Sequence, residues 1–229
     1  MAGRVLSGRR IIVLGGTGSL GQAVVERFRS DGASVLVADS RLPADADRRE
    51  DLDYVIVDAL DESSIAAAFA AAPPPHAVVN LIGGYTPPQP LPELDIAVLR
   101  QQLEVNLLTA AIVTKHAIPV LAAQAGGAVV HVSSRIAAEK GENSFAYSVS
   151  KLGVLRLVEA AAAEGRQLGV RVNCIMPSII DTPANRAALP RAHHDRWPKP
   201  SELAAVLAFL VSDDAALISG AAIPVYGRA

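Results

Sequence analysis

The sequence predicts an α/β fold, a doubly wound parallel sheet with helices on both faces. Short runs rich in β-branched residues alternate with longer segments of helical periodicity. The short runs are apolar at nearly every position, as strands are when both faces of their sheet are buried. A glycine-rich loop, GGTGSLG at 15–21, joins the first strand to the first helix, which is typical of a nucleotide-binding α/β unit.

The strand and helix patterns extend along the whole chain. Helices are predicted near 19–31, 61–71, 95–124, 146–168 and 200–213. The segment 39–52 is too polar for a full helix and contains Pro43, so we expect a loop or a single turn there. No repeat, linker or change of composition divides residues 1–229, which predicts one domain. Seven runs read as strands: RIIVL (10–14), SVLVA (34–38), DYVIV (53–57), HAVVNL (76–81), GAVVHVS (127–133), VRVNCI (170–175) and AAIPVY (221–226).

Composition excludes several classes of function. Hydrophobic residues make up 51% of the chain and aromatic residues 4%, so the core must consist of Ala, Val, Leu and Ile. The net charge of -2 gives no electrostatic case for nucleic-acid binding. Cys174 is the single cysteine, which excludes an internal disulfide framework and a cysteine metal cluster. No apolar run approaches the length of a transmembrane helix, and the apolar run near the N-terminus is too short for a signal-peptide core, so we expect a cytoplasmic protein.

The glycine loop is a candidate phosphate-binding site. Gly15, Gly18 and Gly21 recur every third residue between a strand and a helix. Without Cβ atoms the backbone can turn tightly and approach a pyrophosphate, and the helix N-terminus offers free N–H groups to the anion. We therefore expect this loop, including Thr17, Ser19 and Leu20, to bind a dinucleotide.

Asp39 ends the second strand and is a candidate for selecting the cofactor. A carboxylate there can accept hydrogen bonds from ribose hydroxyls and would repel a 2′-phosphate, which favours NAD over NADP. The neighbouring Arg41, Arg48 and Arg49 leave NADP open, since an arginine could reach a phosphate. Ser40 is also expected to contact the cofactor.

Tyr147 and Lys151 form a candidate acid/base pair. They are four residues apart in a predicted helix, so both side chains lie on one face. A free tyrosine has a pKa near ~10, too high for an efficient base at neutral pH. A neighbouring ammonium favours the phenolate, so we expect Lys151 to lower the pKa of Tyr147. Ser134 stands 13 residues before the tyrosine and could hydrogen-bond a substrate oxygen.

The order of these motifs resembles that of the short-chain dehydrogenase/reductase family over nearly the whole chain. Further motifs that carry the resemblance are VDA (57–59), NLIGG (80–84), LEVNLL (103–108), HVSS (131–134), YSVSK (147–151) and IMPSIIDTP (175–183). The resemblance implies a Rossmann fold with strand order 3-2-1-4-5-6-7. It also implies an NAD(P)-dependent oxidoreductase that transfers a hydride between the nicotinamide and a small carbonyl or alcohol.

The same resemblance assigns roles to individual residues. Tyr147 would be the general acid/base, assisted by Ser134, by Lys151 and by a water on the Asn106 carbonyl. Thr182 would hold the nicotinamide carboxamide, and Lys151 the nicotinamide ribose. The remaining cofactor contacts would come from Asp58, Ala59, Asn80, Leu81, Gly83, Tyr147, Pro177 and Ile180.

Several segments are also similar to quinoid dihydropteridine reductases, notably GGYTPPQ (83–89) and residues 180–200. Those enzymes reduce a quinonoid dihydropterin with NADH, and their usual pattern lacks the serine. Ser134 therefore favours carbonyl or alcohol chemistry, with the pterin reaction as an alternative. A dinucleotide-binding sensor or scaffold without catalysis is a third hypothesis, which the complete Ser134, Tyr147 and Lys151 set disfavours.

Other features are interpreted as structural. His193 and His194 lack a carboxylate or cysteine cluster, so no metal site is predicted. Trp197 is interpreted as a packing anchor and Cys174 as a buried, inert thiol. By resemblance, the apolar faces of helices 95–124 and 146–168 would pack across a twofold axis in a homodimer or homotetramer.

Overall fold

A computed structural model describes residues 5–44, 47–70 and 73–228. In this part of the chain, seven strands form one sheet whose neighbours all pair in parallel, in the order β3-β2-β1-β4-β5-β6-β7. The predicted fold class and strand order are confirmed. The strands are β1 (Arg10–Leu14), β2 (Ser34–Asp39), β3 (Asp53–Ile56), β4 (Ala77–Asn80), β5 (Gly127–Val132), β6 (Val170–Pro177) and β7 (Ala222–Val225).

The predicted helices are present, and the structure adds two features. The short helix α6 was not predicted, and a π-helical turn, Leu103–Leu108, joins α3 to α4 without a break. The described part of the segment between β2 and β3 consists of turns and bends, and residues 45, 46 and 71 lie outside the described ranges. The helices are α1 (Ser19–Ser30), α2 (Glu62–Ala70), α3 (Ile96–Gln102), α4 (Thr109–Ala122), α5 (Phe145–Gly165), α6 (Pro183–Ala188) and α7 (Pro200–Val211).

Helices cover the sheet on both faces. Val24 and Phe28 of α1 and Leu203 and Leu207 of α7 are buried with one set of strand residues. Helices α2, α4 and α5 bury a second set on the opposite face. The central strands are therefore buried on both faces, which explains their continuous apolar sequences. The edge strands β3 and β7 are only partly buried.

The composite helix from Ile96 to Ala122 is long and apolar enough to cross a membrane by length and composition. The sequence did not predict this because polar residues interrupt each shorter apolar run. Val113, Ala117 and Leu121 are buried in the core beside the sheet. This packing is that of a core helix.

The parallel arrangement places all strand carboxyl ends at one edge of the sheet. Ligands of open α/β sheets bind in the crevice outside this edge. The segments that follow the strand ends bring the predicted site residues there: Gly15 after β1, Asp39 at the end of β2, Asp58 after β3, Leu81 after β4, Ser134 after β5 and Ile180 after β6.

Candidate active site

A cavity of about 390 Å³ lies at the carboxyl edge of the sheet. Its lining includes nine residues predicted to contact a cofactor: Gly15, Thr17, Gly18, Asp39, Ser40, Asp58, Ala59, Leu81 and Gly83. Sequence reasoning missed the other lining residues, Val57, Leu60, Ile82, Val105 and Thr109. All five lie within three residues of a predicted position, so extending each motif by one turn would have found them.

The glycine loop has the shape that a pyrophosphate requires. A Cβ atom on Gly21 would lie 2.3 Å from the Gly15 carbonyl oxygen, so only glycine lets α1 start this close to the loop. Gly18 caps α1 without a side-chain hydrogen bond to the helix. The N–H groups of a first helical turn have no partner within the helix and favour an anion. Ser19 and Leu20 occupy that turn, so the chain fits a dinucleotide phosphate here.

Asp39 faces the same cavity and is held in place by neighbouring donors. The Thr17 backbone N–H and hydroxyl both donate to Asp39 Oδ2, at 3.0 and 2.7 Å. Ser40 N donates to Asp39 Oδ1 at 2.8 Å. A carboxylate offers about four acceptor positions, so capacity remains for a ribose hydroxyl.

Two of the three arginines near Asp39, Arg48 and Arg49, contact other groups. Arg49 pairs with Glu26 at 2.6 Å and with Asp51 at 3.1 Å. The Arg48 guanidinium lies 6.0 Å from the centre of the Tyr54 ring. Both guanidinium groups therefore have partners other than Asp39.

Lys151 and Tyr147 lie together on α5, as predicted. The Lys151 side chain is buried, and its Nζ donates to the Val132 carbonyl at 3.0 Å. The Ser133 hydroxyl donates to the Lys151 carbonyl at 2.8 Å, which ties α5 to the end of β5. The Lys151 ammonium lies 5.9 Å from the centre of the Tyr147 ring, and the Ser134 side chain hydrogen-bonds the phenol. The structure therefore brings Ser134, Tyr147 and Lys151 together.

The protonation of this pair differs from the sequence prediction. Burial raises the pKa of Tyr147 above its usual 10.0; the Ser134 hydrogen bond opposes this shift, and the charge of Tyr85 adds to it. Burial lowers the pKa of Lys151 to about 8. The expectation that Lys151 lowers the pKa of Tyr147 was therefore wrong for this structure. The ammonium is directed at the Val132 carbonyl, and removal of the phenol from water dominates.

Asn106 lies in the π-helical turn and joins the helix to the loop after β4. Gly84 N donates to Asn106 Oδ1 at 3.0 Å, and Asn106 Nδ2 donates to the Gly84 carbonyl at 3.0 Å. A Cβ atom on Gly83 would lie 2.8 Å from Asn106 Oδ1 and 2.9 Å from Lys151 Nζ. Because Gly83 also lines the cavity, it connects the cofactor cleft with Lys151.

The Asn80 side chain forms its hydrogen bonds in the protein interior and does not line the cavity. Its Oδ1 accepts the Ile82 backbone N–H at 3.1 Å, and its Nδ2 lies 3.3 Å from His131 Nδ1. The Thr114 hydroxyl donates to the Ala110 carbonyl, so it must accept from His131 Nε2 at 2.9 Å. Asn80 therefore shapes the turn at 81–83. Sequence reasoning did not find the hydrogen bonds of His131, because its partners are distant in sequence.

The segment after β6 uses its polar groups locally. Thr182 caps α6, and its hydroxyl accepts the Asn185 N–H at 3.2 Å. The Ile180 carbonyl accepts from the Asn185 side chain at 2.8 Å. Pro177 ends β6. These three predicted cofactor contacts, Pro177, Ile180 and Thr182, lie outside the lining of the cavity.

The residues that the sequence analysis interpreted as structural are buried or make packing contacts. Trp197 is 7% exposed and contacts the His194 ring, with centroids 4.6 Å apart. His194 Nε2 lies 2.7 Å from the Leu189 carbonyl. Within the described ranges there is no group of three or more potential metal ligands. Burial raises the pKa of the Cys174 thiol to about 12, which makes it inert at neutral pH.

Comparisons with known proteins agree with this architecture. Residues 15–227 match the family model described as enoyl-(acyl carrier protein) reductase. The chain is 33% identical to cis-4-hydroxycyclohexanecarboxylate dehydrogenase from Sinomonas cyclohexanicum, covering 98% of each chain. It is 28% identical to 7alpha-hydroxysteroid dehydrogenase from Bacteroides fragilis, covering 95% of this chain and 92% of that protein. A short-chain type dehydrogenase/reductase structure from Mycobacterium ulcerans superposes with a TM-score of 0.87 at 26% identity, covering 97% of this chain and 90% of that one.

Proposed function

The chain belongs to the short-chain dehydrogenase/reductase family, and on that basis we propose that it transfers a hydride between NAD and a ring-bearing alcohol or ketone, with Tyr147 as the general acid/base. It is an oxidoreductase that acts on CH–OH or C=O groups with a nicotinamide cofactor. The place of Gly83 carries the proposal: it lines the cofactor cavity, and a Cβ atom on it would meet the Lys151 ammonium at 2.9 Å, so the binding cleft adjoins the acid/base group.

The cofactor supplies or accepts the hydride when it is bound. The chain's residues handle the proton. At neutral pH the raised pKa keeps the Tyr147 phenol protonated, which suits donation to a carbonyl oxygen during reduction. Ser134 is hydrogen-bonded to that phenol and can donate its hydroxyl hydrogen to the same substrate oxygen. Lys151, whose ammonium lies 5.9 Å from the centre of the Tyr147 ring, is the proposed partner of the nicotinamide ribose.

Hydrogen bonds within the protein fix the positions of the residues that are proposed to handle the proton. Lys151 is fixed by the bonds of its ammonium to Val132 and of its carbonyl to Ser133. Asn106 is fixed by its paired bonds to Gly84, so its main chain can hold a water that returns the proton to the pair. Thr182, at the start of α6, is the proposed partner of the nicotinamide carboxamide.

NAD is the proposed cofactor because of Asp39. Its carboxylate faces the cavity and is held by Thr17 and Ser40. A 2′-phosphate there would meet a like charge. Arg49 pairs with Glu26 and Asp51, an arrangement that favours NAD further.

A ring-bearing substrate is proposed for two reasons. The two relatives described above are named for a hydroxycyclohexane and a hydroxysteroid, both of them cyclic alcohols. The exposed aromatic ring of Tyr85 also lies beside Tyr147. The pterin alternative is not favoured, because Ser134 occupies the position that such reductases leave without a serine.

The test is the Tyr147→Phe variant. We expect NADH affinity to stay within about twofold while turnover falls by about 10²–10⁴-fold, the usual contribution of general acid/base catalysis. NADH fluorescence titration measures the first quantity and NADH absorbance the second. Trp197 lies outside the cofactor cavity, so its emission serves as a folding control. Turnover that survives this substitution would refute the role of Tyr147.

We also propose a homodimer or homotetramer through helices 95–124 and 146–168. Leu108 and Leu152 on these segments are 46% and 52% exposed, and an interface through these helices would cover both. Light scattering on the purified protein tests this, and a Leu152→Glu variant should shift the assembly toward the monomer.

A further inference from the structure

Tyr85 is an exposed aromatic residue at the candidate catalytic centre. It is 62% exposed, although tyrosines usually bury most of their ring. Its ring centre lies 5.2 Å from that of Tyr147, and the two planes meet at 85°. The two rings therefore form a right-angled corner that contains the proposed acid/base group.

The segment that carries Tyr85 is fastened on both sides. Gly84, the preceding residue, exchanges two hydrogen bonds with the Asn106 side chain. Four residues after Tyr85, Gln89 N donates to the Asn143 carbonyl at 2.6 Å, and Gln89 forms an isolated β-bridge with Ser144. Pro87 and Pro88 stiffen the stretch between the two attachments. These bonds therefore fix the main chain on both sides of Tyr85.

Gln102 is one of the groups that fix how the Asn106 amide is turned. Gln102 is 3% exposed, and its Oε1 accepts from Asn106 Nδ2 at 3.1 Å. The Ser150 hydroxyl oxygen accepts from the same nitrogen at 3.1 Å. The two hydrogens of this nitrogen are shared among Gln102, Ser150 and the Gly84 carbonyl, and this arrangement leaves Asn106 Oδ1 for the Gly84 N–H. An amide turned the other way would place a donor against that N–H.

We propose that Tyr85 is a wall of the substrate pocket that selects ring-shaped ketones and alcohols over open-chain ones. We assign Gln102 as a positioning residue that holds this wall through Asn106 and Gly84. A compact ring fills a corner of two perpendicular aromatic rings on two sides, whereas a flexible chain contacts less of either and loses rotamer freedom. This inference rests on the proposed role of Tyr147.

The first experiment compares cyclohexanone with 2-hexanone, two six-carbon ketones, using NADH. The wild type should have a kcat/KM about threefold to tenfold higher for cyclohexanone, the range expected for aromatic ring contacts. Tyr85→Leu should bring the ratio close to one, and Tyr85→Phe should keep it. Leu91→Ala, an exposed change farther along the same connection, is the control and should leave the ratio unchanged. A ratio that persists in Tyr85→Leu would overturn the assignment.

The second experiment separates positioning from general support of the fold. Gln102→Met keeps the size of the side chain and removes the acceptor. In protein labelled with ¹³C-tyrosine, it should weaken the nuclear Overhauser contact between the Tyr85 and Tyr147 rings and lower the ketone ratio. In a Tyr85→Leu background the same change should have no further effect on the ratio. Equal losses for both ketones with an unchanged ring contact would show that Gln102 only supports the fold.

The two proposals fail in distinguishable ways. If the wild type reduces neither ketone in a Tyr147-dependent manner, the proposed function is wrong. The ring contact in Gln102→Met still decides whether Gln102 positions Tyr85, because that measurement needs no substrate. If Tyr147-dependent reduction is present and the ketone ratio is near one, the proposed function stands and the role of Tyr85 as a selective wall is refuted.

Discussion

Lowering the pH from 7 to 5 is expected to weaken the fold through His131, which lies on β5 behind the cofactor cavity. Burial lowers the pKa of this histidine from 6.5 to about 4, and the nearby charge of Lys151 contributes. The cause is visible in its contacts. His131 Nδ1 faces the Asn80 amide nitrogen, so a proton on Nδ1 would set two donors against each other.

The sign and size of the effect follow from linkage. The folded-state pKa of His131 is depressed, so the unfolded chain binds the proton first as the pH falls below 6.5. The stability contribution is complete above that pH and is lost progressively toward pH 4. A pKa difference of one corresponds to about 1.4 kcal/mol, so between pH 7 and pH 5 we expect a loss of about 2 kcal/mol in the free energy of unfolding.

Urea denaturation at pH 7, 6 and 5 measures this loss. The matched variant is His131→Gln, which does not titrate and keeps an amide donor and acceptor of comparable reach. It will be less stable at pH 7, but its decline toward pH 5 should be smaller than that of the wild type by about 2 kcal/mol. Other carboxylates and histidines titrate equally in both proteins and cancel. Parallel pH profiles for the two proteins would refute the reasoning.

Three further predictions concern the cofactor cleft and the sheet. Asp39→Ala should weaken NADH binding about tenfold and bring the NADPH affinity of the variant to within a few-fold of its NADH affinity. Fluorescence titration measures both affinities. Tighter binding of NADPH than of NADH by the unmodified protein would contradict the NAD assignment. Gly21→Ala should lower the free energy of unfolding by more than about 2 kcal/mol, because the added Cβ would meet backbone atoms. Gly18→Ala is the control: its Cβ would lie 3.7 Å from the Gly15 carbonyl oxygen, so the melting temperature should stay unchanged. Arg171→Met should lower the free energy of unfolding, measured by urea denaturation, by about 2–3 kcal/mol. The guanidinium donates to three main-chain carbonyls at the end of α7 and in the loop that follows. An unchanged denaturation midpoint would show that water replaces the guanidinium as the donor to these carbonyls.

Much of the fold could be predicted because the strands of this sheet are buried on both faces. That burial makes the strand segments continuously apolar, and parallel pairing then places their carboxyl ends at one edge. The glycine loop could also be predicted, because the close approach at Gly21 requires a residue without a Cβ atom, and glycine is visible in the sequence. These features are local or follow from one topological rule.

Other features could not be predicted because they depend on contacts between distant residues. The His131 contacts reach Thr114 and Asn80, which are 17 and 51 residues away. The direction of the Tyr147 pKa depends on how deeply α5 is packed, and no spacing between tyrosine and lysine reports it. The corner formed by Tyr85 and Tyr147 likewise arises only after the loop is fastened to Asn106.

The π-helical turn at Leu103–Leu108 takes up one extra residue between α3 and α4. An α-helix rotates by about 100° for each residue, and a π turn accommodates one residue more than an α turn. Deleting one residue of this turn ahead of Asn106 would therefore leave a regular helix in which α3 and α4 keep nearly the same phase, so the apolar stripe that includes Val113 and Leu121 would stay in the core. The residues of the turn itself would rotate, and the Asn106 amide would shift away from Gly84. Such a deletion should therefore preserve the fold while releasing the loop after β4 from this helix.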